Sequence, residues 1–86
     1  MYSVYVIQHN ATKDIYIGRT NNLRRRLREH NASQQKATKR NDGEWILIYA
    51  EAYRSKEDAV KRELRLKQHG RAKQELLKRA KFSRID

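Results

Sequence analysis

Residues 3–30, SVYVIQHNATKDIYIGRTNNLRRRLREH, decide the fold of this chain of 86 residues. Two runs rich in valine, isoleucine and tyrosine, at residues 2–8 and 15–19, are separated by polar turn residues, and this pattern predicts a β-hairpin. Asn21 or Asn22 then offers an N-cap, and residues 23–30 follow with helical spacing. The stretch therefore predicts two paired strands, which contain Tyr5 and Tyr16, followed by a helix.

The rest of the chain predicts one more strand and two more helices. Residues 45–53 have the strongest strand pattern, and Ser55 is a capping residue for a helix that extends to about residue 68. Gly70 is predicted to break that helix before a last one at residues 71–81, while residues 32–43 lack an apolar period and are predicted to be a loop. No proline-rich linker or internal repeat divides the chain. We therefore predict a single α+β domain over residues 1–86, with a three-stranded antiparallel sheet flanked by helices in the order β-β-α-β-α-α.

A net charge of +11 is the strongest compositional feature, and the charge is clustered. Eight basic residues and a single acid lie between residues 19 and 40. Such clustering indicates a polyanionic partner, of which nucleic acid is the commonest, although a solvated basic surface without a partner is the simpler alternative. The residues predicted to contact a nucleic-acid backbone are Arg19, Arg24, Arg25, Arg28, Lys36, Lys39 and Arg40.

Other composition features bear on the compartment. The chain has no cysteine, which excludes a disulfide framework and a thiolate zinc site and is consistent with a reducing cytoplasm. No apolar run approaches the roughly 20 residues of a membrane span. The first residues lack the basic-then-apolar order of a signal peptide. From the sequence we expect a cytoplasmic protein that does not associate with membrane.

Arg26 and His30 flank the apolar stripe of the first predicted helix, whereas its other arginines are on the opposite side. An arginine and a histidine at the edge of a core are well placed to line a cleft. The alternatives are structural: Arg26 covers apolar surface with its methylenes, and His30 interacts with the helix dipole.

Glu63 falls inside the apolar arc of the predicted second helix. A buried carboxylate needs a cation, a metal or several donors to offset its desolvation. A salt bridge with one of the many arginines is one interpretation, and a divalent metal is the other, because Mg²⁺ often takes only one or two protein carboxylates. Tyr5 and Tyr16 likewise are either core aromatics or reacting phenols.

These residues together resemble the GIY-YIG nuclease family, and in particular its small stand-alone members. The resemblance rests on Ser3-Val4-Tyr5, Tyr16-Ile17-Gly18, Asn22-Leu23 and Arg26, and in the second half of the chain on Tyr49-Ala50-Glu51-Ala52-Tyr53, Asp58-Ala59 and Arg62-Glu63-Leu64-Arg65-Leu66-Lys67. Ser3 and Val4 stand where the family has glycine and isoleucine, but the tyrosine that follows them is kept.

The resemblance implies a metal-dependent endonuclease that hydrolyses DNA, with Mg²⁺ or Mn²⁺ as cofactor. Its implied catalytic residues are Tyr5, Tyr16, Arg26, His30 and Glu63, with Glu63 as the metal ligand. Selectivity for substrate structure, a role in DNA repair or recombination, and help from a partner protein or self-association are further expectations. The competing interpretations are a non-catalytic basic DNA- or RNA-binding module on the same fold and a structural domain of a ribonucleoprotein. A pairing of Glu63 with Arg26 or Arg62 would favour the binding module.

Overall fold

The computed structural model describes residues 1–37, 43–81 and 83, with the backbone alone for residues 33–37. Within these residues the elements follow the predicted order: β1 (Tyr2–His9), β2 (Ile15–Thr20), α1 (Leu23–Ala37), β3 (Trp45–Tyr53), α2 (Lys56–Gln68) and α3 (Gly70–Arg79). β1 lies between β2 and β3 and pairs with both in the antiparallel sense. The predicted α+β fold is confirmed.

β1 is buried on both faces from Val4 to His9. On one face, its valines join a hydrophobic core with residues from the neighbouring strands and from α2 and α3: Val4, Val6, Ile17, Ile48, Ala59, Leu66 and Leu76. Side chains alternate along a strand, so Tyr5 and Ile7 lie on the other face. Tyr5 reaches α1 there, through a hydrogen bond to His30. The sheet thus separates the main core from the face that carries the tyrosines.

Two ion pairs connect α2 to the outer strands of the sheet, and α2 contributes the cation to one pair and the anion to the other. Arg62 donates from Nε and Nη2 to the two carboxylate oxygens of Glu51 on β3, at 2.8 and 3.1 Å. The next residue, Glu63, accepts from Nε of Arg19 on β2 at 3.1 Å. Arg19 and Glu51 are the partners of Val4 on either side of β1, so both face α2. On α2 a cation, Arg62, is followed by an anion, Glu63, and the sheet offers the opposite charges in Glu51 and Arg19. This match of charges favours one placement of the helix on the sheet.

Glu51 accepts four hydrogen bonds although its side chain is only 16% exposed. Besides Arg62, the hydroxyls of Tyr49 and Tyr53 donate to it at 2.9 and 2.7 Å. Burial alone would raise the pKa of Glu51, but the hydrogen bonds from Arg62 and the two phenols outweigh burial and lower it. Burial and the adjacent carboxylate raise the pKa of Tyr53 to about 12. Glu51 is therefore ionised at neutral pH and ties β3 to α2.

α1 is longer than the sequence predicted. It continues to Ala37, so the prediction of a loop from residue 32 was wrong for residues 32–37, and residues 38–42 lie outside the described part of the chain. The segment 32–37 has no apolar face, but alanine, glutamine and lysine favour helix without one. Asn31 fastens the helix to β3, because its side chain accepts from the backbone N–H of Trp45 at 2.7 Å and donates to the carbonyl of Trp45 at 3.3 Å. None of the helices in the described ranges is both long and apolar enough to cross a lipid bilayer.

Side chains cap the N-termini of α1 and α2. Asn22, one of the two predicted candidates, accepts from the backbone N–H of Arg25 at 3.1 Å at the start of α1. Ser55 caps α2 as predicted, by accepting from the backbone of Glu57 and Asp58. The break between α2 and α3 was assigned to Gly70, but it lies at His69, whose backbone is extended. Gly70 is instead the first residue of α3.

Candidate active site

The site begins with a glycine on β2 that makes room for a tyrosine on β1. Gly18 is the direct partner of Tyr5 in the β1–β2 ladder. A Cβ atom at Gly18 would collide with the hydroxyl of Tyr5 and would lie 2.6 Å from its Cζ and 2.9 Å from Cε1 of Tyr16. The Tyr5 ring, which is 1% exposed, therefore lies over the bare backbone of Gly18. The absence of a side chain at Gly18 therefore leaves the space that both tyrosine rings occupy.

Replacing Gly18 with alanine is expected to lower the free energy of unfolding by about 1–3 kcal/mol, since the added methyl overpacks a buried ring. Chemical denaturation measures this change. Gly70→Ala is the matched control, because no heavy atom lies within 4 Å of the added Cβ there. It should be neutral or slightly stabilising. Equal losses in the two variants would contradict the close packing of Tyr5 on Gly18.

Tyr5 and His30 form the centre of the site. The Tyr5 hydroxyl lies 2.9 Å from Nε2 of His30. Burial raises the pKa of Tyr5, an effect that Arg26 partly offsets. Burial and then the charge of Arg26 lower the pKa of His30. At neutral pH the phenol is therefore protonated and the imidazole is neutral. In the tautomer that carries its proton on Nδ1, Tyr5 donates and Nε2 accepts.

Tyr16 borders the same imidazole and is much more open than Tyr5. Its ring is 37% exposed, and its centroid lies 4.7 Å from that of His30 and 6.3 Å from that of Tyr5. Trp45 of β3 packs beside this pair, with ring centroids 6.4 Å from Tyr16 and 6.3 Å from His30. One buried and one open phenol thus flank a histidine, and only the open one presents a large surface to a ligand.

Arg26 lies one helical turn before His30 and faces both phenols. Hydrogen bonding to the Tyr5 hydroxyl raises the pKa of Arg26, with a smaller contribution from Tyr16. Its side chain is 40% exposed and pairs with Glu29 at 3.7 Å. An exposed pair of that length contributes little to stability, so the guanidinium can leave it to bind an incoming anion.

Glu63 of α2 is 15% exposed and is paired with two cations. Oε1 accepts from Nε of Arg19 at 3.1 Å, and Oε2 accepts from Nζ of Lys67 at 2.9 Å. Burial alone would raise the pKa of Glu63, but the hydrogen bonds from Lys67 and Arg19 outweigh it and lower the pKa. Glu63 is thus a desolvated carboxylate that stays ionised at neutral pH. The salt bridge with an arginine that the sequence offered as one interpretation is therefore present, but its partner is Arg19 and not Arg26 or Arg62, which pair with Glu29 and Glu51.

The donor set at Glu63 fits a hard divalent cation that is held mainly by water and substrate. Within residues 1–37 and 43–81, no cluster of three or more histidine, cysteine or acidic side chains is arranged to hold a metal. A closed zinc-type site is therefore absent from that part of the chain. A single ionised carboxylate is a sufficient protein ligand for Mg²⁺ or Mn²⁺, which complete their coordination with water and phosphate oxygens.

The structure brings most of the predicted site residues together. Tyr5, Tyr16, Arg26 and His30 form one cluster on the tyrosine face of the sheet. Glu63 lies on the α2 side of the sheet and is connected to this cluster through its partner Lys67, whose ammonium lies 5.9 Å from the centroid of the Tyr16 ring. The negative charge of Glu63 also contributes to the raised pKa of Tyr5.

The predicted nucleic-acid contacts divide into three groups. Arg24, Arg25 and Arg28 are exposed on the outer side of α1. Arg19 was grouped with them from the sequence, but the structure engages it with Glu63 inside the site. The side chains of Lys36, Lys39 and Arg40 lie outside the described residues.

Two residues near the site, Lys67 and Trp45, were not predicted from the sequence to take part in it. Lys67 follows Glu63 by four positions, and that spacing alone indicates a side-chain pair on a helix. Trp45 was assigned to β3 without a role, and it lies against Tyr16 and His30. No sequence signal connects Trp45 with these residues, because the antiparallel pairing of β3 with β1 sets the contact.

Comparison with known proteins gives matches over most of the chain. Residues 1–76 match the family model described as the GIY-YIG catalytic domain. A UPF0213 protein of Halobacterium salinarum is 38% identical over 77 residues, which cover 90% of this chain and 99% of that protein. A UPF0213 protein of Vibrio campbellii is 33% identical over 76 residues, which cover 88% and 72% respectively. No solved structure gives a significant match.

Proposed function

The chain belongs to the GIY-YIG nuclease family, whose members act on nucleic acid and generally use a divalent metal, and from this premise we propose that it is a metal-dependent endonuclease that hydrolyses DNA phosphodiester bonds. The observation that supports this activity best is the hydrogen bond between a buried, protonated phenol and a neutral imidazole. Arg26 interacts with the Tyr5 hydroxyl, and the ionised Glu63 of α2 acts on Tyr5 through its charge.

In this proposal Tyr5 and His30 move the proton of the attacking water. A phenol with a raised pKa is a poor base by itself. When His30 carries its proton on Nδ1, Tyr5 donates to Nε2 and can pass its own proton to the imidazole while it takes one from water. The phenol then never has to carry a full negative charge, and His30 ends the step as the imidazolium.

Arg26 and Tyr16 would bind the scissile phosphate. The guanidinium of Arg26 is exposed and offers forked hydrogen bonds that suit the negative charge of a pentavalent transition state. Tyr16 presents its open ring and hydroxyl on the same side of His30.

Glu63 would hold Mg²⁺ or Mn²⁺, which when bound would supply a Lewis acid that stabilises negative charge on the scissile phosphate. Attack of water with cleavage of the bond to the 3′ oxygen would give products with 5′-phosphate and 3′-hydroxyl ends.

The described surface supports binding of DNA through its backbone rather than through base edges. Arg24, Arg25 and Arg28 line the exposed side of α1, and contacts of arginine with phosphate carry no sequence information. We therefore propose that the enzyme selects branched, nicked or flapped DNA by shape, alone or with a partner protein or a second copy. Such a preference suits DNA repair or recombination.

Cleavage of labelled flap, nicked, branched and linear DNA in Mg²⁺, in Mn²⁺ and in EDTA tests the proposal. We expect metal-dependent cutting with a preference for one of the branched or nicked forms. The Glu63→Gln protein, purified in parallel, controls for a contaminating nuclease. Tight, salt-dependent binding of DNA without cutting in either metal would instead support the non-catalytic binding module.

The pH dependence of kcat/KM is expected to show a loss of activity on the acid side. His30 must be neutral to accept a proton, and burial and Arg26 lower its pKa from the ordinary value of 6.5. Activity should therefore persist below pH 6.5 and fall only as the pH drops through the lowered pKa of His30. A rate profile between about pH 5 and about pH 8 measures this. An acid limb centred at or above pH 6.5 would contradict the proposed role of neutral His30.

A further inference from the structure

Both oxygens of the carboxylate at which the metal is proposed to bind already carry a positive partner. Oε1 of Glu63 is bound to Arg19 and Oε2 to Lys67, each by one hydrogen bond. Each carboxylate oxygen has further lone-pair capacity, so the two cations do not fill the coordination sites. They do place two positive charges beside any ion that approaches. A divalent cation at Glu63 would be repelled by both, since charges a few ångströms apart interact strongly near a desolvated group.

The two cations differ in how easily they can leave. Lys67 is 45% exposed, whereas Arg19 is 33% exposed and lies on a strand of the sheet. Lysine carries a compact, strongly hydrated ammonium on a flexible stem, and arginine a planar fork that keeps its geometry. Water therefore replaces Glu63 as a partner for Lys67 more readily than for Arg19. Lys67 is the exchangeable cation of the pair.

The position of Lys67 also shows where its ammonium can go. Nζ lies 2.9 Å from Oε2 of Glu63 and 5.9 Å from the centroid of the open Tyr16 ring. A phosphate bound by Tyr16 and Arg26 would lie within reach of a small rotation of this side chain. Its negative charge would stabilise the ammonium when that group leaves Glu63.

Resting on the proposed nuclease function, we propose that Lys67 competes with the divalent metal for Glu63 and transfers to a phosphate of the nucleic acid when the metal binds. The metal site is then weak in the free protein and becomes stronger when a phosphodiester is present. Lys67 is a positioning residue in this scheme, and the scheme couples metal binding to substrate binding.

Titration with Mn²⁺, followed by the paramagnetic resonance signal of the free ion, tests the competition in the absence of DNA. Lys67→Met removes the charge and keeps the length of the side chain. Lys61→Met is the matched control, since Lys61 is exposed on the same helix and its loss changes the net charge equally. We expect the Kd for Mn²⁺ to fall about tenfold in Lys67→Met and about twofold or less in Lys61→Met.

A second measurement tests the transfer to phosphate. At saturating Mn²⁺, the KM for DNA should rise more in Lys67→Met than in Lys61→Met, because only Lys67 is proposed to contact the phosphate. Equal Mn²⁺ affinities in the two variants would overturn the inference and leave the nuclease proposal intact. If the wild type and both variants took up no more Mn²⁺ than Glu63→Gln does, the metal site and the proposed function would fail together.

Discussion

Replacing Glu63 with glutamine is expected to lower the rate of metal-dependent cleavage by about 1,000-fold. Glutamine keeps the size of the side chain and one carbonyl oxygen but lacks the negative charge that a hard divalent cation requires. The substitution also leaves Arg19 and Lys67 without their anionic partner, so both cations would repel the metal without compensation. Single-turnover cleavage of the preferred DNA substrate at several metal concentrations measures the loss.

The affinity of the Glu63→Gln protein for DNA should be unchanged or slightly higher at the same salt concentration. The proposed backbone contacts lie on the outer side of α1, and removal of one acid adds to the net positive charge. Binding curves at two or more salt concentrations separate this expectation from a general loss of structure. A parallel loss of cleavage and DNA affinity would count against a catalytic role for Glu63.

Glu51→Gln is expected to lower the free energy of unfolding by about 3 kcal/mol, because it leaves the half-buried guanidinium of Arg62 without its charged partner. Arg62 and Glu51 are only 22% and 16% exposed, and the pair is bidentate. The hydroxyls of Tyr49 and Tyr53 lose their ionised acceptor in the same step. A domain of this size has little stability in reserve, so a fraction of the variant should unfold at about 37 °C.

Glu63→Gln is the matched comparison for stability, since it also removes a largely buried carboxylate that pairs with cations, with two partners where Glu51 has three. Its cations are more exposed, at 33% and 45%, and pairs with such exposure contribute about 1 kcal/mol or less. Denaturant unfolding of both variants should therefore show a large loss for Glu51→Gln and a small one for Glu63→Gln. The reverse order would contradict the assignment of Glu51 to the fold and of Glu63 to the site.

The pH dependence of stability gives a further check on Glu51. Its pKa in the folded protein lies below the ordinary 4.5, so its contribution to stability is present above the unfolded-state pKa. That contribution is lost as the pH falls through the lowered pKa of the folded state. The wild type should therefore lose stability more steeply than Glu51→Gln in this acid range. Equally steep losses of stability in the two proteins would show that the pKa of Glu51 is not lowered in the folded state.

The order of strands and helices was predictable from the sequence because local patterns set it. β-branched residues and tyrosines define β1, β2 and β3, and Ser55 defines the start of α2. The end of α1 was not predictable in this way. Residues 32–37 lack an apolar period and still continue the helix, which Asn31 attaches to the first residue of β3 through contacts fourteen positions apart.

The site was predictable only as a set of residues. The resemblance to the nuclease family implied Tyr5, Tyr16, Arg26 and His30 as a set, and the geometry brings these four together. The contribution of Trp45 was not predictable, because its contact with the cluster depends on the register of β3 against β1.

By itself the sequence determined the elements, the faces that they bury and the presence of a carboxylate inside an apolar arc. Only the tertiary structure decided which cations pair with which carboxylates. Helical periodicity fixes the direction of a side chain around its axis and says nothing about which strand lies opposite. α2 crosses the sheet so that Arg62 meets Glu51 on β3 and Glu63 meets Arg19 on β2, 44 positions earlier in the chain. That placement, fixed by long-range packing, separates a glutamate bound by Arg62 and two phenols from one that is shared between Arg19 and Lys67 and that we propose as the metal ligand.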